Sequence, residues 1–327
     1  MDQAVDTFGR PVHSLRIQVN TVCNFGCFFC HMEGTGVHSE TMSPEEIERI
    51  VMTARRWGVN KIKFTGGEPT LRPDILDIIR RTRKHISGNI SMTTNGIMLK
   101  RMSRDLKDAG LDRVNISLHS IERERFQFIT GTDSIDQVME GIRTAKSVGF
   151  EPIKINFVVL KDVNQDQIPL MMELSAAEGF ILQLIEFETT REMEDSEEFR
   201  KYHTRLEPIE ENVRKIAGKI EFNELHRRPR YHVPYGNGEA IVEFVKPMRN
   251  SEFCNNCTRL RVTSTGFLKP CLMRGDNYTN ILGPMRKKAN DSELDSIFLD
   301  SVKKREPYWR KEDEIEPENQ AFWISEG

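Results

Sequence analysis

Apolar residues recur at every second position in short runs, and these runs alternate with longer stretches of helical spacing. Leu15 to Asn20, Lys61 to Thr65, Ile90 to Thr94, Arg113 to Leu118, Ile153 to Leu160 and Ile181 to Phe187 are the predicted strands. Between them lie predicted helices. Ser43-Pro44-Glu45-Glu46 gives a serine cap, a proline at the first helical position and a glutamate three after the cap. That helix runs to Trp57 and stops at Gly58. Others span about Asp74 to Lys84, end at Gly110, run from Ile135 to Val148, and run from Ile168 to Glu178. About six strand–helix repeats predict an α/β fold, a partial (β/α)6 TIM-like barrel. No G-x-G-x-x-G follows an early strand, which weighs against a dinucleotide-binding fold.

After Glu188 the pattern changes. Residues 191–230 are highly charged and predicted mostly helical, a connector between a barrel core at 1–190 and a C-terminal region at 231–327. Short strands and turns return from Tyr231 to Lys269. The charged tail from Lys303 to Glu318 is expected as a surface helix or a partly disordered segment.

The length of 327 residues fits two domains or a large barrel with an appendage, and 38 % hydrophobic residues suffice for a core. A net charge of −3 argues against a nucleic-acid coat or a membrane-surface binder, while leaving room for a local basic pocket. No run of about 18 apolar residues is present, so no membrane span is expected. Met1 to Arg10 lacks a basic start followed by an apolar stretch, so the expected location is cytoplasmic.

The six cysteines form two groups of three: Cys23, Cys27 and Cys30, and Cys254, Cys257 and Cys271. A chain of this size without an export signal has little need of three disulfides. Zinc usually takes four Cys/His ligands; His31 or His38 could complete the first group and His232 the second. Iron–sulfur clusters are held by thiolates, and three thiolates on four irons leave one iron open to a substrate or cofactor. Two such groups suggest two reactive clusters in a reducing compartment.

The predicted strand ends carry a repeated set of polar groups. The first cysteines follow strand one, Gly66-Gly67-Glu68 follows strand two, and Thr93, Thr94 and Asn95 close strand three. Ser117 and His119 close strand four, Asn156 lies in strand five, and Glu186 and Glu188 close strand six. In barrels that rim is where the site lies. Cations sit at strand positions too: Arg16, Lys61, Lys63, Lys154, Arg259 and Arg261. Cations at barrel strands can make a focused basic pocket in a net-acidic chain.

Cys23-Asn24-Phe25-Gly26-Cys27-Phe28-Phe29-Cys30 resembles the cluster loop of the radical S-adenosylmethionine superfamily, and Thr65-Gly66-Gly67-Glu68-Pro69 resembles its loop for the methionine amino group. Phe253-Cys254-x2-Cys257-Thr258-Arg259-Leu260-Arg261, continuing to Gly266 and Cys271-Leu272, narrows the resemblance. Over roughly residues 12–285 the chain is similar to the GTP 3',8-cyclase family, which opens molybdenum cofactor synthesis.

That resemblance implies two [4Fe-4S] clusters and S-adenosyl-L-methionine. It implies a radical that takes hydrogen from ribose C3' of GTP, after which C3' joins guanine C8. It assigns Cys23, Cys27, Cys30, Arg259 and Arg261 to catalysis, with all six cysteines as metal ligands. Phe29, Gly66, Gly67, Glu68, Asn95, Ser117, Gln183 and Glu188 fall at cofactor positions. Arg16, Lys61, Lys63, Thr93, Lys154, Arg259 and Arg261 fall at substrate positions. The expected partners are GTP, an external one-electron donor and a downstream cofactor-synthesis enzyme, with the chain a monomer or homodimer. His31 is expected in loop packing or as a hydrogen-bond donor behind the site.

Four features depart from the family pattern. The chain ends Trp323-Ile324-Ser325-Glu326-Gly327, where the family has a Gly-Gly tail. Gln183 replaces an arginine, Glu188 a methionine, and His119 an aspartate. They leave open a related radical enzyme acting on another nucleotide or a peptide.

Overall fold

The computed structural model describes residues 2–223, 228–236 and 238–314. Six parallel strands run in chain order across one sheet: β1 (Ser14–Gln18), β2 (Lys61–Thr65), β3 (Ile90–Thr94), β4 (Arg113–Ser117), β5 (Lys154–Val159) and β6 (Ile181–Glu186). Helices cover its outer face. The first, α1 (Pro44–Arg56), carries the expected capping box: Ser43 Oγ accepts from Glu46 N–H, and the Glu46 carboxylate accepts from Ser43 N–H at 2.8 Å. Such a cap contributes about 1 kcal/mol. Its buried face, Ile47, Ile50, Val51 and Ala54, lies on the sheet side.

Each strand divides its residues between two unlike faces. The outer rows, including Leu15 and Ile17, Ile62 and Phe64, Val114 and Ile116, and Leu182 and Leu184, are fully buried and form the core with the helices. The alternate positions carry Arg16, Lys63, Ser91, Thr93, Asn115, Ser117, Lys154, Asn156 and Gln183. A barrel interior is ordinarily filled by branched apolar side chains. Here the interior is polar at most levels, so it is a site and not a second core.

The segment after β6 extends this sheet at both edges. Helices α2 (Glu197–Tyr202) and α3 (Glu207–Ile216) fit the expected charged connector, but from Lys219 the chain turns to strand and not to further helix. The reason lies in β7 (Lys219–Asn223) and β8 (Arg228–Tyr235), which pair antiparallel, while β8 pairs β9 (Gly238–Val245). In turn β9 lies parallel to β6. At the opposite edge β10 (Arg259–Val262) lies parallel to β1, and β11 (Phe267–Lys269) and β12 (Thr279–Asn280) follow it. A helix at Arg123–Thr130, absent from the expected set, packs behind the first cysteine loop. The last long helix is Asp291–Lys303, and a short 3-10 turn spans Lys311–Glu314. The terminal Trp323–Gly327 lies outside the described residues. Among the described residues no helix is long and apolar enough to cross a membrane.

Candidate active site

The first cysteine loop is held from below by one buried carboxylate. Glu68 is 1 % exposed. Its Oε1 accepts from Thr70 N–H at 3.0 Å, Thr70 Oγ1 at 2.6 Å and Thr94 Oγ1 at 2.8 Å, and its Oε2 accepts from Asn95 N–H at 2.6 Å. Burial still raises its pKa above the ordinary range, against those four donors. The Asn95 amide then donates to Asn24 Oδ1 inside the cysteine loop at 2.6 Å. Thus β2, β3 and the loop 23–30 share one anchor.

Gly66 and Gly67 are required by close approach. A Cβ on Gly66 would lie 2.2 Å from Asn20 Oδ1, and one on Gly67 would lie 2.3 Å from Val22 O. Both collisions involve the segment that leads into Cys23. Elsewhere Gly26 N–H donates to Thr130 O at 2.7 Å, and Phe25 meets Phe126 edge-on at 5.7 Å between ring centroids. Cys23 and Cys30 are exposed at the barrel mouth and Cys27 is half-buried. Burial, reinforced by the neighbouring thiols, pushes Cys27 up to about 12.

The second cysteine group lines a cavity together with Arg259, Arg261 and Glu188. Its segment is fixed by two guanidinium groups that the sequence reading missed. Arg10 donates to Cys254 O at 2.8 Å and pairs with Asp6; Arg305 donates to Cys257 O at 2.5 Å and lies 3.3 Å from the same Asp6 carboxylate. Burial alone would raise Cys257, but Arg259, Arg305 and Arg261 outweigh it and lower the thiol to about 6. All six cysteines are free of disulfides. Among the described residues no three His, Cys, Asp or Glu converge as ligands of a single metal ion.

Strand register brings the predicted cations together. Arg16 pairs with Arg261 on one side and Lys63 on the other. Lys63 pairs in turn with Ser91, and Ser91 with Arg113. Arg16 is lowered to about 10 by burial, then by Arg261 and Arg259, with Glu33 and Glu188 opposing. Lys63 is lowered well below its usual value by burial and by Arg16, Arg113, Lys154 and Arg259. Glu33 lies 3.8 Å from both Arg16 Nη1 and Arg261 Nε, too far to bond either well. The Nε atoms of Arg16, Arg259 and Arg261 are buried with no hydrogen-bond partner.

Other predicted residues fall at different distances from this row. Thr93 pairs with Asn115, Asn115 with Lys154, and Ser117 with Asn156, all on the inner face. Lys154 forms an ion pair with Glu243, whose carboxylate also accepts from Gln183 Nε2 at 3.1 Å and from Arg230. Gln183 is therefore engaged by a protein carboxylate. Lys61 is exposed at the start of β2, away from the buried cations. Glu188 lies 3.9 Å from His31 Nε2 and also lines the second cavity, so it stands between the two cysteine groups. His31 Nδ1 accepts from Glu33 N–H, as expected for loop packing.

The His119 departure has a local explanation. It is buried, accepts from Val158 N–H through Nδ1 at 3.1 Å, and is lowered to about 4 by burial. The neutral ring caps β5 and meets Phe29 edge-on at 4.9 Å. Phe29 thus rests on His119 and Phe187 beside the last cysteine of the loop.

Fold and cysteine loop together define the class, a radical SAM enzyme: the family model described as Radical SAM superfamily matches residues 17–175. A second, Molybdenum Cofactor Synthesis C, matches residues 180–311. A "Probable GTP 3',8-cyclase" of Thermoplasma volcanium is 56 % identical over 310 residues, covering 95 % of this chain and 94 % of that protein. The "Probable GTP 3',8-cyclase" of Pyrococcus abyssi is 48 % identical over 305 residues, covering 93 % and 99 %. The chain belongs to the GTP 3',8-cyclase family. Among solved structures, Streptococcus suis SuiB bound to S-adenosylmethionine matches with a TM-score of 0.62 at 17 % identity, over 88 % of this chain and 67 % of that one. That likeness is one of fold.

Membership in the superfamily implies a [4Fe-4S] cluster and S-adenosylmethionine. The residues fit them. Three free thiols stand on one short loop at the mouth, and the loop beside them is free of side chains at Gly66 and Gly67. Ligands on separate irons of a cluster stand further apart than ligands of one ion, so three spread thiols suit it.

Proposed function

We infer that this chain is a GTP 3',8-cyclase that joins ribose C3' of GTP to guanine C8. The observation that carries the reading is the row Arg261–Arg16–Lys63, buried at Arg261 and half-buried at the other two, with unpaired Nε donors on both arginines, set beside a second three-cysteine cavity. A row of adjacent cations that repel one another suits a polyanion. Family membership supplies the polyanion, GTP.

When bound, the first cluster and S-adenosylmethionine supply a radical strong enough to take hydrogen from an unactivated carbon. Cys23, Cys27 and Cys30 hold that cluster. The backbone at Gly66 and Gly67, steadied by Glu68 and Asn95, receives the methionine end, while Phe29, Ser117, Gln183 and Glu188 border the remainder. Arg16, Lys63, Thr93 and Lys154 bind the phosphates from the barrel interior, and Lys61, exposed at the start of β2, stands apart from them. Arg259 and Arg261 reach the nucleotide from the second cysteine segment and hold it in place for ring closure. Cys254, Cys257 and Cys271 hold a second [4Fe-4S] cluster beside the base. A one-electron donor completes the partner set, and a downstream cofactor-synthesis enzyme takes the product.

Anaerobic reconstitution tests the two-cluster reading. About eight irons per chain are expected in the wild type and about four in Cys254→Ala. Four irons in the wild type would overturn the second cluster. Release of 5'-deoxyadenosine that rises with GTP, and not with UTP, supports the nucleotide; the reverse preference would overturn it.

A further inference from the structure

Strand β8, between β9 and β7, brings a cation into the site that neither the motifs nor the predicted strands revealed. Gln183 on β6 pairs with Glu243 on β9, and Glu243 pairs with Arg230 on β8. Arg230 is engaged: its Nε and Nη2 both donate to Glu243 Oε1, at 3.0 and 2.7 Å. Arg228 lies two residues along the same strand, so its side chain leaves from the same face. Its situation is different. The guanidinium carbon is 4.9 Å from the Phe253 ring centroid, and that of Arg259 is 5.1 Å from the same ring.

Two like charges thus share one aromatic neighbour beside the second cysteine cavity, which Phe253 and Arg259 line. Burial and then Arg259 lower Arg228 to about 10, with Glu243, Cys257 and Glu188 offsetting part of that. Among the described residues neither Arg228 nor Arg259 has a carboxylate within 4.0 Å, unlike Arg230. A half-buried guanidinium beside a like charge, with no carboxylate within bonding distance, is an arrangement that an entering anion would relieve. Phe253 lies against both guanidinium groups, and the Arg259 Nε is buried with no hydrogen-bond partner.

We propose that Arg228 and Arg259, spaced by Phe253, form a two-guanidinium clamp for a phosphate group of the nucleotide, so that the β8–β9 hairpin is part of the substrate site. This rests on the GTP reading above and deepens it. The clamp makes affinity depend on the phosphate chain more than on the nucleoside. Arg228 is then a substrate-binding residue supplied by the β8–β9 hairpin, beyond the inward Gln183 of β6.

Equilibrium binding of GTP and of guanosine to the anaerobically reconstituted holoenzyme tests the clamp. Arg228→Met is expected to weaken GTP binding about ten- to hundredfold, the range for a lost charge-assisted contact, and guanosine binding less than about twofold. Arg228→Lys keeps the charge without the fork and is expected to fall between. Iron content and the thermal midpoint, measured on each variant, identify a variant that has failed to fold; Arg228→Lys then carries the comparison. Equal weakening of GTP and guanosine, or unchanged GTP binding in both variants, would overturn the clamp. If the wild type itself fails to bind GTP, the functional reading fails first, and the clamp with it.

Discussion

Glu68 offers the sharpest test of how the site is built. Its carboxylate accepts four hydrogen bonds while 1 % exposed, and all four donors belong to the loop after β2 or the end of β3. Glu68→Ala leaves Thr70 N–H and Asn95 N–H buried without a partner, and each costs about 1–3 kcal/mol. The two hydroxyls can rotate to other acceptors. A total loss of about 3–5 kcal/mol follows. Glu68→Gln distinguishes the carboxylate from its shape. The amide oxygen can keep the three bonds at the Oε1 position, which sets the NH2 against Asn95 N–H, donor facing donor. That variant should lose about 2 kcal/mol. Because Asn95 also holds Asn24, both variants should weaken S-adenosylmethionine binding by more than they reduce iron content. Urea unfolding gives the stability, and equilibrium dialysis with labelled S-adenosylmethionine gives the affinity. An Ala variant within about 1 kcal/mol of wild type would refute the anchoring role of this carboxylate.

Two further perturbations bear on the same loop and its support. Burial lowers His119 to about 4 from 6.5, so as pH falls the unfolded chain takes the proton first. Stability tied to the neutral ring is complete above about pH 6.5 and declines toward pH 4, by up to ~3 kcal/mol. Unfolding curves for wild type and His119→Gln should diverge across that window; parallel curves would remove the neutral-histidine cap. Gly67→Ala forces a Cβ to within 2.3 Å of Val22 O, so the cysteine loop must shift. S-adenosylmethionine binding should fall at least about tenfold, as for other steric misplacements at a reacting centre, and unchanged affinity would mean that the loop yields freely.

Much of the barrel was legible because its code is local. The alternation Leu15-Arg16-Ile17-Gln18 already separates a helix-facing row from an inward one. Both cysteine spacings and the Gly-Gly-Glu loop are local in sequence, and the family comparison agrees with the family they resemble. What stayed hidden depends on register between distant segments. Nothing near Arg259 announces that its strand pairs with β1, and that pairing sets Arg261 beside Arg16. The same holds for Arg10 and Arg305, whose shared grip on the second cysteine segment joins residues 295 apart in sequence. Arg228 was one charge in a run of basic residues, distinguished from Arg230 only by what each faces. His119 illustrates the opposite error. It departs from the motif, yet its burial and its bond to Val158 make it a support for Phe29 and β5. Glu188 and Gln183 remain departures with new partners, His31 and Glu243.

The central claim is that hydrogen leaves C3' of GTP in this site. Reconstituted, reduced protein should be mixed with S-adenosylmethionine and GTP deuterated at C3', without oxygen, and the products followed by mass spectrometry. Deuterium in 5'-deoxyadenosine, together with a 3',8-cyclised nucleotide, is the result the account predicts. Cleavage of S-adenosylmethionine with no deuterium transferred and no cyclised nucleotide would contradict it.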